Sequence, residues 1–509
     1  MRPFLPLVLT LAMLPASTPL FAQQQPAEHR ESAAYYFLLA RQLEDNDKPE
    51  EAIAALQKAL ALEPKSAELR AELAGVYARQ NRAVEAITTA EEALTFDAAN
   101  REANRLLGSI YSALADQNRP LRPGDDPSQY ASRAIAALEK ARSPTIADLG
   151  LDLTLGRLYL RARQTDKAIA ALQRVFTQQP EYSEGGLLLA AAQDQAGSIE
   201  DAIVTLESTI EHNPTFFRAH VKLIELYERQ RRWKDAARAY ARAQSVNPKA
   251  DLTEGRAMAL LNGGSPKEAG SLVQEAIAKK SAPDASLLYL LAESQRQLKD
   301  YDAASATVRR LRSAFPDDTR GLLMEAQLQL AQGNREAALT TFAALVQRAP
   351  NQPVFAYQYA QLLQEAGKPR DAEQVLRRLL ERDPMDATAL NSLGYMFAER
   401  GERLDEAVAL LQRALKIDPG NPSFLDSLGW ALFKQGHLGE AEKPLAEAAA
   451  RMPANSVIQD HLGDLRFRQQ RYPDAVRAWE RALAGDGESI DRAAIERKLR
   501  DARGRVPKE

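Results

Sequence analysis

Apolar residues return along this chain at intervals of three and four, the spacing that places side chains on one face of a helix. Leu39, Ala40 and Leu43 are followed by Ala52, Leu56 and Ala59, and the stretch closes at Pro64. Leu155, Gly156 and Tyr159 precede Ala168, Leu172 and Pro180, and Leu428, Gly429 and Leu432 precede Ala441, Leu445, Ala448 and Pro453. The pattern predicts pairs of helices, here A and B. Writing the proline as position 32, Leu falls at 7, a small residue at 8, a large one at 11, Ala at 20, a large apolar residue at 24 and a small one at 27. Small residues at 8, 20 and 27 let the two helices approach while the large ones fill the gaps. The prolines keep the period: 180, 214 and 248 stand 34 apart, as do 316, 350 and 384. Each follows a helical stretch, which proline ends because it cannot continue the backbone ladder.

A fixed period in this range means stacked supersecondary units. Thirteen begin near 33, 67, 101, 149, 183, 217, 251, 285, 319, 353, 387, 422 and 456. The pattern resembles the tetratricopeptide repeat (TPR) family over residues 33–489. That resemblance implies an all-α fold, a right-handed α-solenoid of about thirteen helix-turn-helix repeats. Residues 33–250 carry units 1–6, 251–284 a degenerate unit 7, and 285–489 units 8–13. Residues 490–509 read as a capping helix, from Ile490 to Arg503, and a tail. Three units depart from the pattern. In unit 3, Gly108 and Ala134 lie 26 residues apart where Ala40 and Ala52 lie 12 apart, and the 14 extra residues, with Pro120, Pro123, Gly124 and Pro127, read as a loop rather than a longer helix. Unit 7 shows Ala257-Met258 in place of Leu-Gly, and Gly255, Gly263, Gly264 and Gly270 predict a weak second helix. Unit 9 has Glu325 at the Leu position.

The first 22 residues differ from the rest. Arg2, an apolar run from Phe4 to Leu14, and the exit from Pro15 to Ala22 read as a cleavable signal peptide. A short lead, 23–32, follows. The expected mature chain is periplasmic, with cleavage after Ala22. Charge changes little: 66 Lys+Arg stand against 69 Asp+Glu, without the basic stripe that nucleic acid requires. With no cysteine, disulfides, thiolate metal sites, a cysteine nucleophile and a lipid anchor on cysteine are excluded. The five histidines, His29, His212, His220, His437 and His461, lack the spacing of a helical metal site. No nucleophile elbow, phosphate loop or dinucleotide fingerprint occurs. Acidic pairs such as Glu50-Glu51 and Asp405-Glu406 sit at starts of helix B, complementing its dipole. The reading is of no catalytic residue, no metal, no cofactor and no enzyme: repeats leave no stretch long enough for a catalytic domain.

Helix-A positions 4, 7, 8 and 11 share one side, and positions 2, 5, 9 and 12 cluster about 140° away. In the family resembled, the second face lines the concave groove that binds ligands. Toward the C-terminus it is aromatic and polar: Tyr357, Asn391 and Asp426 at position 5, Tyr395 and Trp430 at 9, Phe433 at 12. Aromatics beside fixed hydrogen-bonding groups suit an extended peptide, with Trp430 as anchor and Asn391 and Asp426 fixing its backbone. The competing reading is packing between neighbouring helices. The expectation favours the groove, with Trp430 outside the repeat core and Leu428 inside it. The stretches from Leu390 to Tyr395 and from Leu425 to Trp430 resemble those of bacterial envelope repeat proteins, among them outer-membrane lipoproteins that act as adaptors for periplasmic carboxy-terminal processing proteases. That resemblance implies an exported scaffold or adaptor for a protein or peptide partner, such as an envelope protease or assembly factor. The lipoproteins' anchoring cysteine is missing here. The alternative is a structural subunit of an envelope secretion or polysaccharide-export complex, and an enzyme is the third, less favoured reading.

Overall fold

The protein is described by a computed structural model over residues 32–143, 145, 147–280, 284–487 and 490–506. The expected signal peptide and most of the lead lie outside the described residues. Among those described, 27 α-helices follow one another, numbered α1 to α27 in chain order, and α1 to α26 pair as thirteen A–B hairpins. The first pair is Ala33–Asp45 (α1) and Pro49–Leu62 (α2). Backbone contacts divide the chain into two compact units, 1–231 with 242–248 and 232–241 with 249–509. The expectation of an all-helical solenoid holds.

Local chemistry sets the hairpins. Ser32, Ser66, Asn100, Asp148, Asp386 and Asn455 each accept a backbone N–H at the start of an A helix, satisfying a donor that has no intrahelical partner. In most repeats the chain passes from A to B through one left-handed residue at position 15, as at Asp47, Asn81, Gly197, Gly333 and Gly436. Glu50 and Glu51 lie in the first turn of α2, and Asp405 and Glu406 in that of Leu404–Ile417 (α22), as expected of dipole-complementing charges.

The small residue at position 8 is a steric requirement. A Cβ on Gly156 would stand 2.4 Å from Leu172 Cγ, and one on Gly429 would stand 2.5 Å from Leu445 Cγ. Position 24 of helix B thus occupies the space vacated at position 8 of helix A. Successive repeats are also tied by polar bonds. The Tyr at position 11 donates to a Glu on the preceding B helix, Tyr111 to Glu91 at 2.9 Å and Tyr159 to Glu139 at 2.7 Å.

Two of the three irregular units, 3 and 7, differ from their sequence reading. In unit 3 part of the insertion is helical after all. Helix Arg101–Gln117 (α5) has 17 residues, and only the segment to Pro127 is loop, closed by Tyr130 (of Tyr130–Ala141, α6), which accepts Leu121 N–H and donates to Asp125. In unit 7 the second helix, Pro266–Lys279 (α14), forms in full, and the first, Thr253–Asn262 (α13), is short at ten residues. The glycines of α13 and α14 serve close approach: a Cβ on Gly270 would meet Ser294 Oγ at 2.5 Å. The register of unit 7 also begins one residue earlier, at 250. Gly264 is then the left-handed residue at position 15, and Ala257, fully buried, takes position 8, 12 residues before buried Ala269. Met258 is therefore 43% exposed, and the residue at position 7 is Arg256. In unit 9, Glu325 forms an ion pair with Arg312.

The last repeat is followed by one further helix. Helix Arg492–Arg505 (α27) buries Ile495, Leu499 and Ala502 against Trp479 and Ala475 of Tyr472–Ala484 (α26). Lys498 reaches Asp460 at 3.0 Å and Asp464 at 2.8 Å, the position-5 and position-9 carboxylates of the last repeat.

Candidate functional site: the A-helix face

Helices Ala387–Arg400 (α21), Pro422–Gln435 (α23) and Ser456–Arg468 (α25) are the A helices of the last three repeats, and each packs on the next. The predicted aromatic stripe lies along their contact. Trp430 lies flat against His461, ring centroids 4.0 Å apart, and against Phe433 at 4.9 Å. Its Nε1–H donates to Glu399, and Lys434 Nζ stands 5.0 Å from its ring. Asp426 accepts from His461 Nδ1 through both carboxylate oxygens at 3.0 Å. Tyr395 is half-buried beside the same histidine, 6.4 Å between centroids.

This arrangement corrects the expectation for two of the six residues. Trp430 is 8% exposed and Asp426 5%, so neither stands open to a ligand. Helices α23 and α25 touch where Trp430 meets His461, and the indole is consumed in that contact. Leu428, expected in the core, is only half-buried. Tyr395, Phe433, Asn391 and Tyr357 are also half-buried. Tyr357 belongs to the preceding repeat and donates to Asp386, the N-cap of α21. The Asn391 side-chain oxygen is buried without a hydrogen-bond partner among the described residues.

Charge follows the packing. Burial opposes protonation of His461, but Asp426 against Nδ1, with Glu399 and Asp460 nearby, outweighs it and holds the ring protonated above its ordinary range. Burial, and then the negative charges of Glu399 and Asp426, push the Tyr395 hydroxyl well up. His461 and Glu399 were missed in the sequence because they occupy positions 6 and 13, outside the face selected by periodicity.

In the first compact unit the corresponding positions of the A helices are open. Helices Ala67–Arg79 (α3), α5 and Leu149–Arg161 (α7) enclose a hollow of about 320 Å³. Its lining includes Gly75 and Ser109 at position 9 and Gly150 at position 2, where large residues would narrow it. Its rim charges are mutually satisfied. Arg79 grips Glu44 through bonds of 2.7 and 3.0 Å, and Arg105 lies 3.4 Å from Asp148. The sequence signal for this hollow is the run of small residues at groove positions, Gly75 and Ser109 at position 9 of successive A helices.

The fold and this face define a helical-repeat scaffold, a protein-binding architecture. Three family models, each described as tetratricopeptide repeat, match it: one at 153–214, 221–286 and 357–422, another at 43–110, 260–328 and 400–465, a third at 320–351. The chain belongs to the tetratricopeptide repeat family. It is 28% identical over 164 residues to the TPR repeat-containing protein PA4667 of Pseudomonas aeruginosa, covering 32% of this chain and 28% of that protein. It is 29% identical over 194 residues to the TPR repeat-containing protein YpiA of Bacillus subtilis, covering 37% of this chain and 45% of that one. The chain thus spans less than half the length of these relatives. Among solved structures it is similar to a tetratricopeptide repeat protein of Parabacteroides merdae, with 17% identity, 49% and 97% of the two chains covered and a TM-score of 0.40. It is similar also to YrrB, a TPR protein with an unusual peptide-binding site, with 18% identity, 39% and 95% covered and a TM-score of 0.34.

Proposed function

We propose that this chain is an exported, non-enzymatic scaffold or adaptor that holds a partner protein by an extended segment laid along the A-helix face. The observation that carries the reading is the hollow over Gly75, Ser109 and Gly150. Small residues leave the backbone of a bound segment room to approach, and the rim offers both signs of charge without a large unpaired charge of its own. Half-buried Tyr395 and Phe433, with the unpartnered Asn391 oxygen, lie on the corresponding A-helix face of the second compact unit. Trp430 and Asp426 act there by holding the face in shape.

Export rests on the Arg2, Phe4–Leu14 and Ala22 pattern. N-terminal sequencing of the chain from a periplasmic fraction should begin at or near Gln23, and a full-length chain in cytosol would overturn that part. Partner binding is tested by comparing captures on immobilised wild type and Ser109→Trp, which fills the hollow from an exposed position. A partner held by the first and lost by the second supports the reading. Identical captures oppose it.

A further inference from the structure

Position 7 of helix A is Leu in most repeats, and Leu223 and Leu291 on either side of unit 7 are buried there. Two repeats carry a charge instead. Glu325 meets Arg312, as described. Arg256 meets nothing: it forms no ion pair or side-chain hydrogen bond among the described residues, and its Nε is buried without an acceptor. That unmade donor costs more than an apolar group in its place would, and the rest of the half-buried side chain lies on a cavity. An arginine at a leucine position with no partner therefore asks for one from outside.

The surroundings supply the place. Arg256 lines a cavity of about 220 Å³ formed by Trp233–Val246 (α12), α13 and the start of α14. Lys234 and Arg238 stand at it from α12, Ser265 from the start of α14, and Ala259 and Leu260 give it an apolar wall. Arg238 is engaged by Asp235, whereas Lys234 is exposed with no ion pair among the described residues. Glu268 is the one carboxylate in the lining. Two uncompensated cations thus face one acid across a space that fits a small anion with a short apolar body.

We propose that this cavity is an anion site, in which a compact oxyanion, carboxylate or phosphate, accepts hydrogen bonds from the Arg256 guanidinium and is held at the mouth by Lys234. It is separate from the hollow over Gly75 and does not depend on partner binding there. Guanidinium presents a planar fork that matches both oxyanions, which is why the shared chemistry, and not one molecule, is assigned.

Calorimetry on the full mature chain, with inorganic phosphate and with acetate titrated at matched ionic strength, tests the site. Saturable binding of one anion per chain is expected, with acetate binding pointing to a carboxylate ligand and phosphate binding alone to a phosphate. Arg256→Leu restores the residue of the neighbouring repeats, so it should fold and weaken that binding at least about ten-fold, the loss of a charge-assisted pair. Lys234→Met, at an exposed position, should weaken it less, and Glu268→Gln should strengthen it. Absence of saturable binding to wild type, or undiminished binding to both Arg256→Leu and Lys234→Met, would overturn the proposal.

Discussion

The indole of Trp430 lies 4.0 Å from the imidazole of His461, planes 11° from parallel, while Asp426 holds the far repeat's histidine by its Nδ1. Three A helices are thereby pinned through one stack, since Trp430 also donates to Glu399 of α21. The stack makes position 9 a joint between repeats.

Trp430→Ala should therefore destabilise the C-terminal repeats by about 3–5 kcal/mol, the range for removing a buried aromatic. Leu428→Ala, at a half-buried site, should cost less, nearer the lower end of about 2–5 kcal/mol for buried aliphatics. Urea unfolding of the two variants side by side measures the order, and a larger loss for Leu428→Ala would count against the joint.

The histidine gives the joint a pH dependence of known sign. A ring whose folded pKa is raised above 6.5 contributes stability fully present below that value and lost as pH rises through the folded one. Wild type should unfold at lower urea at pH 9 than at pH 6, and His461→Gln should flatten that difference. An equal slope in the variant would place its origin elsewhere.

Two glycines separate packing from propensity. Gly429→Ala drives a Cβ to 2.5 Å from Leu445 and should cost about 1–3 kcal/mol, as overpacking does. Gly439→Ala, exposed on the B helix of the same repeat with nothing within 4 Å, should instead gain about 0.5–1 kcal/mol. Thermal melts of the pair should move in opposite directions, and a shared direction would contradict the account of position 8.

Unit 7 should open before its neighbours. Its α13 lacks the first helical turn, and Arg256 replaces a core leucine there, so residues 251–280 should exchange amide hydrogens faster than those of α21 to α23. Equal protection would remove unit 7 as a weak point.

The repeat was legible because its signal is local and recurs: a small residue at 8 against a large one at 24 must appear wherever the hairpin does. Unit 7 was misread by one residue because Gly263 and Gly264 hid which of them carries the left-handed turn. The Ala257–Ala269 spacing of 12 held the answer. The stripe was legible as a face but not as a contact. Periodicity says that Trp430 points away from its own B helix, and it is silent on whether the next A helix covers it. His461, 31 residues on, does so through tertiary packing that no spacing within one repeat contains. The hollow escaped for the opposite reason: Gly75, Ser109 and Gly150 shape it by what they lack.

The central claim is that the A-helix face holds a partner segment over that hollow. The most direct measurement is the affinity of a captured partner for wild type, for Ser109→Trp and for Gln57→Trp, an exposed substitution on α2 outside the hollow. The account predicts that Ser109→Trp loses at least about ten-fold in affinity, or about 1.4 kcal/mol, with an unchanged melt, and that Gln57→Trp loses none. Equal affinities for all three proteins would contradict it.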